Sequence, residues 1–232
     1  HQGEVNSVSF SSDGSVVASA GADRTVKLWN LKGQELVSFT GHKYGVRSVS
    51  VSPDGRAIAS AGYGGEGDNL KLWSLNGEEI LGVGDLCLAV NGVSFSPSGD
   101  KIAAACSNNT VKLIGMDGKV LATFKGHKEE VYSAVFSPDG NTVASAGADG
   151  TIKIWSLDGE ELASLVGHGD RVYDLSFSPD GKILVSGSWD FTALLWHLDL
   201  DFLLAKGCDY VYDYLQKSPN IKEGDRDLCR GI

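Results

Sequence analysis

Residues 126–155 read GHKEEVYSAVFSPDGNTVASAGADGTIKIW. The stretch holds three β-rich runs, Val131 to Phe136, Val143 to Gly147 and Ile152 to Trp155, opened by Gly126-His127. Ser137-Pro138-Asp139-Gly140 and a second turn at Asp149 separate them. Turn residues between runs rich in β-branched side chains are hairpin signals. The unit recurs through the chain. Trp29, Trp73, Trp155 and Trp196 close four copies, and Ile114 stands where a fifth Trp would. Successive closing residues lie 41 apart, except that the step from Trp29 to Trp73 is longer by three residues inserted in the Gly-rich run Gly62 to Asn69. A fixed period of this length marks an array of identical supersecondary units.

This Gly-His…Trp frame, with four strands to a period of about 41, resembles the WD-repeat family. The resemblance covers residues 1–198 and rests on five copies that agree independently. It implies an all-β chain, a β-propeller of four-stranded antiparallel blades. Copy three keeps the strands but loses the signature: Asp85-Leu86 replaces Gly-His, Ala104 the strand Ser, Asn108 the turn Asp and Ile114 the Trp. Its blade is expected to form without polar bracing. Copy five has no turn Gly after Trp196, so its outer strand is expected to be missing. The chain also begins inside a repeat, at His1. Both features lead to the expectation of lost upstream sequence and of five blades belonging to a seven-bladed ring, a closed five-bladed ring being the alternative. Residues 199–232 form a second segment. Leu203, Leu204, Val211 and Leu215 recur there at helical spacing, so a helical extension is expected. It resembles the C-terminal extension that follows WD repeats in large cyanobacterial multidomain proteins.

The chain has 232 residues, 42% of them apolar, enough for a sizeable core in one all-β domain. Its net charge of −10 repels phosphate backbones and argues against nucleic acid as a partner. No apolar run is long enough to span a membrane as a helix. The four cysteines, Cys87, Cys106, Cys208 and Cys229, form no CxxC pair. Cys87 and Cys106 fall in strand-like stretches and read as small apolar residues, so a reducing, cytoplasmic setting is expected. Cys208 and Cys229 are expected as thiols in apolar contact. Gly62 to Gly67 matches G-x-G-x-x-G, but the dinucleotide motif needs a helix after it, and Leu70-Lys71-Leu72-Trp73 is strand-like. Glu66 and Asp68 are too few oxygens for Ca²⁺. No cofactor or metal site is expected.

Copy four brings together His127, Ser145, Asp149 and Trp155, and copy five His168, Ser186, Asp190 and Trp196. Copy one offers His1, Ser19, Asp23 and Trp29. Copy two offers His42, Ser60 and Trp73, with Asp68 one residue out of register. Ser, His and Asp invite a hydrolase reading. That chemistry needs one exposed nucleophile with an oxyanion hole, whereas here the set recurs and always ends on a Trp whose N–H needs a partner when buried. The family resemblance implies a hydrogen-bonded chain from Trp through Ser and His to Asp that braces each blade, so no catalytic residue is assigned.

The resemblance also implies that partners meet the face carrying the loop after Gly-His and the turn between the second and third strands. The residue after the first Val of each inner strand lies there: Asn6, Arg47, Asn91, Tyr132 and Tyr173. Arg171 lies two positions before Tyr173, and Trp189 just before the turn Asp. Arg47, Tyr132, Arg171, Tyr173 and Trp189 are the candidate partner-binding residues, being of the types enriched at binding hot spots. The alternative is that Tyr173 and Trp189 only shield each other between blades. The expected function is a non-catalytic scaffold for a protein or peptide, the C-terminal partner-binding part of a larger bacterial signalling protein. A purely structural or oligomerising repeat is the second reading.

Overall fold

The computed structural model describes residues 1–64 and 68–199, and these build five antiparallel sheets in chain order. The first contains β1 (Val5–Phe10), β2 (Val16–Gly21), β3 (Thr25–Asn30) and β4 (Glu35–Thr40). The second contains β5 (Val46–Val51), β6 (Ala57–Gly62), β7 (Leu70–Ser74) and β8 (Glu79–Val83). The third contains β9 (Val90–Phe95), β10 (Lys101–Cys106), β11 (Thr110–Gly115) and β12 (Val120–Lys125). The fourth contains β13 (Val131–Phe136), β14 (Thr142–Gly147), β15 (Thr151–Ser156) and β16 (Glu161–Val166). The fifth has three strands among the described residues, β17 (Val172–Phe177), β18 (Ile183–Ser188) and β19 (Ala193–His197). Each sheet is a meander of strands adjacent in sequence, the arrangement of a propeller blade. No helix is found among the described residues. The helical extension expected over 199–232 lies outside them apart from Asp199, as do Cys208 and Cys229.

The first hairpin turns on the Ser-x-Asp-Gly signature in four of the sheets and on Ser96-Pro97-Ser98-Gly99 in the third. In the fourth sheet Gly140 N–H donates to the Ser137 carbonyl at 2.8 Å. The Ser137 hydroxyl donates to Asp139 Oδ1 at 2.5 Å. Gly140 has φ +73°, a left-handed conformation that a side chain would strain. After β6 the inserted loop folds back, with Gly62 N–H donating to the Asn69 carbonyl at 3.2 Å. The element that follows is a strand, β7, which removes the helix a dinucleotide motif requires.

The first strands stand side by side, β1 against β5, β5 against β9, β9 against β13 and β13 against β17. Apolar clusters fill the space between successive sheets. Val46, Val49 and Val51 of β5, for example, pack on Ala18, Ala20, Val26 and Leu28 of the first sheet. Where no sheet precedes among the described residues, the same positions face outward. Val8 and Phe10 of β1 are each 63% exposed, while their equivalents Val49 and Val51 are buried.

The third sheet forms as expected, and its bracing has become apolar. Leu86, Ala104 and Ile114, at the His, Ser and Trp positions, are all buried. Restoring the serine alone, Ala104→Ser, should gain nothing and cost about 1–3 kcal/mol in chemical denaturation, because its hydroxyl is buried without a partner. Stabilisation would mean that copy three is wrongly aligned.

One expectation is corrected here. Cys87 and Cys106 are not separate apolar residues but a disulfide, with Cα atoms 5.9 Å apart. The register shift at Ala105/Cys106 sets Val90 opposite Cys106 and carries the loop before β9 over the end of β10. The argument for a reducing compartment rested on the lack of any such bond and loses its premise.

Candidate functional site

Two sets of residues compete for the role of a site, and geometry separates them. The His-Ser-Asp-Trp sets assemble as the resemblance implies. In the fourth sheet Trp155 Nε1–H donates to Ser145 Oγ at 2.7 Å, and His127 Nε2 lies 2.8 Å from the same oxygen. His127 Nδ1 is 3.0 Å from Asp149 Oδ2, which also accepts the Lys128 N–H at 2.8 Å. Thr151 Oγ1 donates to Asp149 Oδ1 at 2.7 Å. The fifth sheet repeats this through Trp196, Ser186, His168 and Asp190, and the first through Trp29, Ser19, His1 and Asp23. Donors and acceptors balance with each of these histidines in the Nδ1–H tautomer: Trp donates to Ser, Ser to His and His to Asp. The serines are buried and hold Trp and His at once. Each hydroxyl is thus engaged on both sides, unlike the exposed nucleophile that a catalytic triad needs.

Copy two departs from the pattern because of its insert. Asp68 still accepts the loop N–H of Lys43, at 2.6 Å. His42 Nδ1, however, is 3.5 Å from Asp68 Oδ1, and neither atom has a hydrogen-bond partner. Burial pushes the His42 imidazole down to about 4, against the opposing pull of Asp68. Burial likewise lowers His127. Burial raises the Asp149 carboxyl, but the hydrogen bonds from Thr151 and Lys128 outweigh it and hold the group below its ordinary value. These histidines are neutral when folded and gain protons on unfolding. Their contribution is complete above the ordinary value of 6.5 and, for His42, is lost as pH falls toward about 4. The aspartate contribution is lost at lower pH, as each carboxyl protonates below 3.8. Urea midpoints should therefore fall in two stages on acidification, and His42→Gln should flatten the first. An unchanged first stage in that variant would remove His42 as its source.

The second set lies at one end of the inner strands. In all five sheets the pairing of first and second strands slips by one residue, at Val5/Ser7, Val46/Ser48, Val131/Ser133, Val172/Asp174 and, in the third, opposite Ala105/Cys106. The residue left over is Asn6, Arg47, Tyr132, Tyr173 or Asn91. Such a bulge re-aims one side chain, a device common beside binding sites. All five of these residues line a cavity of about 670 Å³ framed by the five inner strands.

Around this mouth the residues link to one another. Asn6 donates to the Val46 carbonyl and Asn91 to the Val131 carbonyl, both at 2.8 Å. Arg47 hydrogen-bonds the side-chain oxygens of Asn91 and Tyr63, and its guanidinium lies 4.0 Å from the centre of the Tyr63 ring. Tyr132 and Tyr173 stack with centroids 4.7 Å apart and planes at 12°. Trp189 packs on Tyr173 at 5.6 Å, and the Arg171 guanidinium lies 5.7 Å from the Trp189 ring. The structure thus brings Tyr132, Arg171, Tyr173 and Trp189 into one cluster and places Arg47 in another group on the same mouth. Tyr173 and Trp189 do touch, yet Trp189 remains 59% exposed, so mutual shielding leaves most of the indole free.

Sequence reasoning did not find Tyr63. It directly follows β6, the position that Trp189 holds after β18, but in copy two the Gly-rich insert that begins there separates it from the turn Asp by which that position was read. Among the described residues no group of His, Cys, Asp and Glu could hold a metal ion.

In comparisons with known proteins, the family model described as "WD domain, G-beta repeat" matches residues 1–30, 33–74, 84–114, 118–156 and 159–197. No curated protein matches the chain.

Proposed function

Since the chain belongs to the WD40 repeat family, whose members generally act as protein-interaction scaffolds, we propose that it is a non-catalytic scaffold that binds a protein or peptide segment at the mouth of the central cavity. The observation that carries this reading is the set of five bulges, which turns Asn6, Arg47, Asn91, Tyr132 and Tyr173 onto one opening beside an exposed Trp189. An exposed aromatic cluster with arginines has the composition of a binding hot spot. A purely structural repeat would have no use for it. The proposal extends to the chain's setting: the partner-binding part of a larger bacterial signalling protein, its five sheets an arc of a seven-bladed ring. The exposed faces of Val8 and Phe10 support the longer arc, because the same face is buried wherever another sheet packs on it.

The test of the binding site is selection from a random linear-peptide display library on the intact chain. Binders that lose affinity on Tyr173→Ala and on Trp189→Ala are expected. Selection that yields only binders indifferent to both variants would remove the mouth as the partner site.

A further inference from the structure

Resting on that reading of the mouth, we propose that the partner segment presents a single acidic side chain to the Arg171 guanidinium, next to an aromatic or branched apolar side chain that lies on Trp189. The two arginines are unlike the lysines of the inner sheets. Lys71 and Lys153 each reach a glutamate on the neighbouring strand, Glu79 and Glu161, at 2.8 Å. Neither Arg47 nor Arg171 makes an ion pair among the described residues, in a chain with 30 acidic and 20 basic side chains. What holds them is neutral and aromatic. Arg47 is laid flat on Tyr63 and bonded to Asn91. Arg171 lies over Trp189 and points an N–H toward the Tyr132 hydroxyl at 3.5 Å.

A guanidinium carries five N–H donors, and these contacts use only some of them. Stacking fixes the plane of the fork, so less freedom is lost when a carboxylate engages it. The same opening also holds acidic groups, and they set the limit of one acid. Asp174 is occupied by the Ser133 hydroxyl at 3.1 Å and the Leu175 N–H at 2.9 Å. Glu130 lines the cavity and makes no ion pair among the described residues. A run of acidic residues would meet Glu130 as a like charge; one carboxylate set toward Arg171 would not.

Display selection on the intact chain reads this out directly. The enriched peptides should share one Asp or Glu within a few residues of an aromatic or branched apolar residue. For a synthetic peptide of that consensus, Glu→Gln in the peptide and Arg171→Gln in the protein should each weaken binding about tenfold, as for loss of a charge-assisted hydrogen bond, while Arg47→Gln, in the separate group around Tyr63, should change it little. Glu130→Gln should tighten it, and added salt should weaken it. The three protein variants change side chains at the rim, and unchanged melting will show that they fold. Peptides that need Trp189 but carry no acid, or that ignore Arg171→Gln, overturn this inference and leave the scaffold reading standing. Peptides indifferent to Trp189→Ala and Tyr173→Ala overturn both.

Discussion

Trp155→Ala should lower the free energy of unfolding by about 3–5 kcal/mol, the cost of removing a large buried aromatic. Trp155 is 1% exposed and closes the cluster in which Val111, Leu113, Phe124, Val131 and Val143 meet. Its ring stacks on Phe124 with centroids 5.6 Å apart. Gly126 gives it room: a Cβ there would lie 3.0 Å from the indole edge. The indole N–H is also the donor that Ser145 accepts, so the loss has a polar part. Ser145→Ala isolates that part and should cost about 1–3 kcal/mol, since it strands the Trp155 N–H and His127 Nε2. The two changes share one hydrogen bond, so the double variant should cost less than their sum. Trp196 offers an internal control. It occupies the same position but is only partly buried. Equal losses for Trp155→Ala and Trp196→Ala in denaturant titrations would show that burial between sheets is not what makes Trp155 matter.

The repeat was legible because its punctuation is local. A Ser-x-Asp-Gly turn needs its glycine where the turn is, and a Trp whose N–H must be satisfied calls for a Ser at a fixed distance along the chain. Four sheets of four strands and the braces of the first, fourth and fifth sheets follow from such signals. The mouth was legible only as a register position. Nothing in the residue types says that Asn6, Arg47, Asn91, Tyr132 and Tyr173 are bulged; that follows from how each inner strand slips against its neighbour. Features built across copies or in the insert were not legible. Tyr63 holds the position of Trp189, one residue after the second strand, but the insert moves the turn Asp that marks it. Asp68, one residue out of register, keeps the loop N–H of Lys43 but stands too far from His42 for a hydrogen bond. The Cys87–Cys106 bond depends on a loop whose sequence had left the repeat pattern altogether.

That bond carries the second large effect. Removing it through Cys87→Ala with Cys106→Ala should cost about 3 kcal/mol, the loop-closure entropy expected for a crosslink spanning 19 residues. In the first, fourth and fifth sheets a His on the loop and an Asp after the second strand tie the loop to the sheet. The third sheet has lost both, and two substitutes stand in their place. One is the disulfide, which joins the loop to the buried end of β10. The other is Asn69, lent by the preceding sheet: its side chain donates to the Cys87 carbonyl at 2.8 Å and accepts the Leu86 N–H at 3.2 Å. Replacing both cysteines leaves neither of this pair as an unpaired thiol and keeps the Asn69 contacts, so the expected loss is that of the crosslink with the two side-chain truncations. A dithiol reductant should move the denaturation midpoint of the native chain most of the way toward that of the variant and leave the variant unmoved. Reduction should also loosen the loop that holds Tyr63, which bridges to Ala89 just beyond Cys87, so amide exchange at Tyr63 and Ala89 should rise with it. A native chain whose midpoint ignores the reductant would return Cys87 and Cys106 to small apolar residues in contact.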